Sequence, residues 1–314
     1  MDSWIGQQLG PYELQSKLGA GGMGVVYRAL DRISGGPVAL KVLHGPMGRA
    51  GERFRSEIRA LARFRHPHIV AVHEVVRSAN ALAYAMEFVE GPTLQGVIDA
   101  AREPESRRAA RREHAPFLCG HDEPAYADLL CRCGIAVGRA LQSMHEAGLV
   151  HRDVKPSNIL LRKDGRPLLS DFGLVLAEDE PGLTITEQFL GTTVYAAPEQ
   201  LAGHRRDVGP RSDVYALGVT LYHALKGHAP FPRGSPVETL ARITRDGERV
   251  AVPRLQVGTP TSARVALSWS APGGRITAAR SRDGRVDSQI VTPVNHEISQ
   301  EQVHHVYASA SAFT

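Results

Sequence analysis

The chain has 314 residues, 42% of them hydrophobic and 22% charged, with a formal net charge of +4. That balance excludes wholesale disorder and a low-complexity filament, and it allows one large domain or two average ones. Mild basicity fits acidic ligands such as nucleotides without calling for a nucleic-acid partner. The longest apolar run, 216–225, falls short of the ~20 residues that a membrane-spanning helix needs, so no membrane span is expected. Three cysteines, Cys119, Cys131 and Cys133, are an odd number in a chain without a recognisable leader, which favours a reducing compartment and a cytoplasmic location over a disulfide framework.

In chain order, short β-rich runs at 12–18, 24–29 and 38–42 predict an antiparallel meander. Phe54, Ile58, Leu61 and Phe64 recur at helical spacing, and the helix they predict stops at His66-Pro67. Two further strands are predicted at 69–76 and 81–89, followed by a Gly91-Pro92 turn where the composition shifts toward helix. An arginine-rich stretch with scattered cysteines and histidines, 101–133, reads as an insertion. Helical periodicity returns at 135–147, and an almost wholly apolar helix at 213–225 predicts the buried centre of a second lobe. Beyond about residue 253 the pattern alternates at Val265, Leu267 and Trp269 with glycine turns, which predicts strands. The resulting division is an N-terminal segment 1–11, a first lobe 12–90, a second lobe 91–253 and an atypical tail 254–314.

Four segments carry chemistry. Gly19-Ala20-Gly21-Gly22-Met23-Gly24, with Leu18 before it and Val26 after it, lies between two predicted strands, where glycines let a backbone approach phosphates closely. A plain glycine-rich hairpin is the alternative reading. Lys41 shares a strand face with Ala39, and a lysine on such a strand needs an anion; Glu57 on the next helix is the expected carboxylate, in a structural ion pair or in one that holds ATP phosphates. The segment 151–158 places Asp153, Lys155 and Asn158 in one loop, where a carboxylate can accept a hydroxyl proton, an ammonium can neutralise a phosphoryl group and an amide oxygen can ligate Mg2+. Asp171-Phe172-Gly173 then sets a second carboxylate at the end of an apolar strand, ready for a hard cation.

This ordered set, together with Ala197-Pro198-Glu199 and the segment 212–218, resembles the eukaryotic-like serine/threonine protein kinase family of bacteria over residues 12–252. The resemblance implies an α+β, two-lobed kinase fold with a β-rich N-lobe, a helical C-lobe and ATP between them. It implies an adenine site at Met86, Glu87, Phe88 and Val89, closed by Val26, Ala39 and Leu160, and a packed column of Leu61, His151 and Phe172 between the lobes. Lys41 and Glu57 position phosphates, Asp153 is the base with Lys155 beside it, and Asn158 and Asp171 hold Mg2+, or Mn2+ in its place. Lys155 and Thr192 resemble the positions that select serine and threonine in protein substrates, and Arg152 resembles the subclass controlled by activation-loop phosphorylation, with Thr184 and Thr186 as sites reached between two copies in a homodimer.

The resemblance breaks down in the tail, where the family continues as helices and supplies an arginine to the glutamate of Ala-Pro-Glu. Glu199 is therefore expected to lack its usual partner, and a nucleotide-binding pseudokinase or inactive scaffold stands as the alternative function. His114, Cys119, His121, Cys131 and Cys133 are weighed as zinc ligands against ordinary packing, since their spacing matches no common knuckle.

Overall fold

The computed structural model describes residues 4–21, 24–43, 58–77, 82–102, 124–172, 193–231, 238–239, 241, 243, 257–259, 262–270, 275–282 and 285–291. Six antiparallel strands open the chain: β1 (Gln8–Leu9), β2 (Tyr12–Gly21), β3 (Gly24–Asp31), β4 (Pro37–Leu43), β5 (Val72–Arg77) and β6 (Leu82–Glu87), in the order β1-β2-β3-β4-β6-β5. Period-two alternation sorts their side chains between two cores. Ala39, Tyr84 and Met86 face a large apolar cluster shared with the second lobe, whereas Val38, Leu40, Val42, Ala83 and Ala85 face a smaller one with Leu9, Tyr12 and Leu14. Trp4 packs against the smaller cluster, so the N-terminal segment covers the outer face of the sheet.

Helical residues 58–63 bring Ile58 and Leu61 into the large cluster. The predicted helix from 53 begins outside the described residues. Helix α1 (Leu94–Ala101) is capped by the Thr93 hydroxyl, which accepts from Gly96 N at 3.0 Å and so satisfies one of the unpaired amides of the first turn.

Helix α2 (Pro124–Glu146) starts eleven residues before the predicted 135 and takes in the last part of the predicted insertion. Its buried residues Tyr126, Leu130, Cys133, Val137, Ala140 and Met144 recur at three- and four-residue spacing, and one face of it is thus core. The short strands β7 (Ile159–Leu161) and β8 (Pro167–Leu169) form a hairpin beneath the first lobe. After the four-residue helix α3 (Pro198–Leu201) comes α4 (Pro210–Lys226), buried along most of its length as predicted and ended by Gly227 in the left-handed region at φ 75°. The Tyr126 hydroxyl donates to Ala224 O at 2.7 Å and ties α2 to α4 inside the core.

The tail carries the predicted strands. β9 (Val257–Thr259), β10 (Ser262–Ser270), β11 (Arg275–Arg282) and β12 (Arg285–Val291) form an antiparallel meander in the order β12-β11-β10-β9.

Candidate active site

The loop between α2 and β7 carries the candidate base, and its shape is imposed from α4. Asp213, with a fully buried side chain, accepts from His151 N at 2.8 Å and Arg152 N at 2.7 Å, and from His145 Nε2 at 2.8 Å. These bonds hold Arg152 at φ 67°, a conformation that L-residues avoid and that persists only where surrounding structure enforces it. Gln200 assists, donating to Arg152 O at 2.9 Å while its own carbonyl oxygen accepts from Ala197 N.

His151 is fully buried, and burial pushes its pKa down against the pull of Asp213 and Asp153, so the ring is neutral. Its Nδ1 accepts from Asp153 N at 3.3 Å and its Nε2 faces Ser170 O at 3.0 Å, which fixes the proton on Nε2. The ring packs 5.3 Å from that of Phe172, and Leu61 and Phe172 belong to the same large core.

Asp153 Oδ2 accepts from Lys155 Nζ at 2.8 Å and from Asn158 Nδ2 at 2.9 Å. Its Oδ1 is buried and has no hydrogen-bond partner among the described residues. Asn158 Nδ2 also donates to Asp153 O at 2.8 Å and lies 3.4 Å from Asp171 O, so the amide is oriented with its oxygen away from the base and its neighbourhood shared with Asp171. An amide oxygen and a carboxylate are hard donors. Two of them suit a small divalent ion that keeps waters and completes its shell with phosphate, and no cluster of three or more His, Cys, Asp or Glu fit for a metal occurs among the described residues.

Lys41 Nζ pairs with Asp171 Oδ1 at 2.7 Å across 130 residues of chain. Burial alone would lower the lysine pKa; the neighbouring Tyr84 oxygen and the Asp171 carboxylate outweigh it and hold the ammonium protonated. Glu57, the partner expected from sequence, lies outside the described residues, as do Gly22, Met23, Gly173, Thr184, Thr186 and Thr192. Asp171 itself sits at φ 55°, a second residue in the left-handed region beside the same cleft.

Around this polar group, Ala39, Met86 and Val89 belong to the large apolar cluster and Val26 and Leu160 pack against it, while Leu18 is half exposed. Gly19 pairs with Val26 and Gly21 with Gly24, and a side chain added at Gly19 or Gly21 would meet nothing, so the glycine strand is open on that side. Gly24 differs: an added Cβ would fall 2.2 Å from Val42 O.

Two expectations change in detail. Glu199 has a partner of another kind, since the buried Ser212 hydroxyl donates to its Oε1, and Tyr215 lies near enough for burial and the Glu199 carboxylate to push its phenol up. Cys131 and Cys133 are buried in α2, where burial raises each thiol to about 12 and keeps it protonated, which disfavours metal ligation. His114, Cys119 and His121 lie outside the described residues. Sequence reasoning missed His145 and Gln200, and assigned no task to Asp213.

A β-sheet lobe over a helical lobe, with a carboxylate loop and a lysine–carboxylate pair at their junction, defines the protein kinase class. The chain matches the family described as "Protein kinase domain" over residues 12–268 and belongs to it. Among its relatives are the serine/threonine-protein kinases PknA and PknL of Mycobacterium tuberculosis, each 40% identical, over 230 and 225 residues. These alignments cover 71% and 70% of this chain and 48% and 50% of the relatives. PkaA of Streptomyces coelicolor is 36% identical over 246 residues, covering 73% of this chain and 41% of that protein. The chain thus spans about half the length of the curated relatives it matches. The crystal structure of the M. tuberculosis PknI kinase domain is 30% identical with a TM-score of 0.52, over 73% of this chain and 78% of that one. The family match runs past the predicted limit of 252 and ends inside β10.

Proposed function

We propose that this chain is an ATP- and Mg2+-dependent serine/threonine protein kinase. The observation that carries the reading is Asp153: one carboxylate oxygen is tied down by Lys155 and Asn158, and the other is buried without a hydrogen-bond partner among the described residues. An acceptor held that way suits an incoming hydroxyl.

In this reading the acceptor serine or threonine oxygen attacks the γ-phosphorus in line, its proton passes to Asp153 Oδ1, and the bond to the β,γ-bridging oxygen breaks to release ADP. Lys41, held protonated, orients the phosphates from the sheet side, with Glu57 as its further partner. Lys155 offsets negative charge on the side of Asp153 away from the proton. Asn158 Oδ1 and the Asp171 carboxylate would hold Mg2+, or Mn2+, which when bound neutralises phosphate charge. The adenine lies against Met86 to Val89, between Val26 and Ala39 above and Leu160 below, and the glycine strand covers the phosphates.

Thr184 and Thr186 are the proposed sites of autophosphorylation between two copies, read by Arg152, and Thr192 positions the acceptor. Substrates are proteins rather than nucleic acids. Two free buried thiols and the use of ATP fit action in the cytoplasm; among the described residues no helix is long and apolar enough to cross a membrane. The scaffold alternative rested on the missing helices, and no residue of the described site supports it.

Incubation with Mg2+ and γ-labelled ATP beside Asp153→Asn is the test. Label on Thr184 or Thr186 that the variant lacks supports the reading. A folded protein that binds ATP and labels neither itself nor a protein acceptor refutes it.

A further inference from the structure

The strap that joins the lobes, 87–92, is braced by cations from both sides. The Glu87 carboxylate pairs with Arg162 Nη2, which projects from the residue just after β7; the side chains are 27% and 35% exposed. The Arg28 guanidinium of β3 lies over the Phe88 ring, 5.3 Å from its centroid. Glu90 meets Lys163 Nζ at 2.8 Å, but there both groups are about two-thirds exposed and water screens the pair. The backbone is fastened to the same hairpin: Leu161 N donates to Pro92 O at 2.8 Å, Thr93 bridges Leu160, and a Cβ on Gly91 would lie 1.8 Å from Leu161 O.

These contacts differ in what they can control. The backbone ties act at the lower end of the strap, where α1 begins. Upstream, Glu87 is anchored to the sheet through its amide, which donates to Ala71 O at 2.8 Å. Its side chain then reaches down to Arg162, two residues from Leu160. The Arg162–Glu87 pair therefore spans the gap between the strap and the strand that floors the adenine site, and it is the only half-buried ion pair of the described residues that does so.

We propose that Arg162 is a positioning residue for the nucleotide: by holding Glu87 it sets the distance between the strap and Leu160, and hence the affinity for ATP, without taking part in phosphoryl transfer. This inference rests on the proposal that adenine lies against residues 86–89. A partly exposed pair of this kind corresponds to about a two- to fivefold change in affinity.

The test uses the full chain, with the dissociation constant of the non-hydrolysable analogue AMP-PNP measured beside steady-state kinetics. Arg162→Met is expected to weaken AMP-PNP binding and raise the KM for ATP by about two- to fivefold, with kcat held within about twofold. Arg162→Lys should recover part of the loss. Arg162→Glu should be the weakest binder, and adding Glu87→Arg to it should restore affinity toward that of the native chain, which a merely structural role of Arg162 would not produce. Should Arg162→Met lose cooperative melting, Arg162→Lys and the charge-swapped pair decide. Unchanged AMP-PNP binding in Arg162→Met, a loss confined to kcat, or a swap no better than Arg162→Glu alone overturns the inference and leaves the kinase reading standing. A native chain that melts cooperatively yet binds no AMP-PNP overturns both.

Discussion

Replacing Asp213 by asparagine tests how the catalytic loop is held. The carboxylate accepts three hydrogen bonds of 2.7–2.8 Å, two from backbone amides and one from His145, and water does not reach it. Asparagine keeps one accepting oxygen and turns an NH2 toward donors. At least one buried amide or the His145 N–H is then left unsatisfied, at about 1–3 kcal/mol, and a charge-assisted bond is lost at about 1.5–3 kcal/mol. The sum, about 2.5–6 kcal/mol, is a large share of the 5–15 kcal/mol on which a domain typically rests. It is comparable to or larger than the roughly 1–3 kcal/mol of strain stored in Arg152 at φ 67°, so the loop is expected to relax. Urea denaturation should show the loss of stability, and kcat for a protein acceptor should fall at least tenfold even in the fraction that remains folded. A variant with native stability and native kcat would refute the idea that α4 sets the geometry of the base.

Four further outcomes are expected. Lys41→Met strips Asp171 of its cation and should lower kcat/KM by at least about a hundredfold while the chain still melts cooperatively. Gly91→Ala drives a methyl into Leu161 O and should destabilise by about 3 kcal/mol or more, read as a lower urea midpoint with an unchanged slope. Burial holds His151, His66, His73 and His223 below their ordinary value of 6.5, so the unfolded chain binds more protons as pH falls. Their contribution to stability is complete above pH 6.5 and is lost below it, and a series of melts should show that decline steepening toward pH 5. Cys133→Ser buries a hydroxyl in place of a thiol and should cost about 1–3 kcal/mol, whereas chelators should leave the melt of the nucleotide-free protein unmoved.

What the sequence disclosed was local. Asp153, Lys155 and Asn158 stand within six residues, and their chemistry constrains one another at that range. The alternation along β4 likewise placed Ala39 and Lys41 on one face. Pairings over distance were not legible: Lys41 meets Asp171, Asp213 meets His145, and Arg162 meets Glu87, choices that follow from how elements stack and not from spacing along the chain. The early start of α2 was hidden because cysteine and tyrosine supply part of its buried face, so an apolar count undervalued it. Glu199 was expected to need an arginine, but a serine on the neighbouring helix supplies a hydrogen bond that no charge pattern reveals.

Two contacts that shape the loop grip Arg152 by its main chain: its amide is taken by Asp213 and its carbonyl by Gln200. The φ of 67° at position 152 is therefore enforced through the backbone. If Arg152 reads a phosphorylated activation segment as proposed, that control acts through the side chain, whereas α4 places the base through the main chain. Glycine there adopts φ 67° without strain, so Arg152→Gly is expected to keep the shape of the loop while removing every contact of the guanidinium.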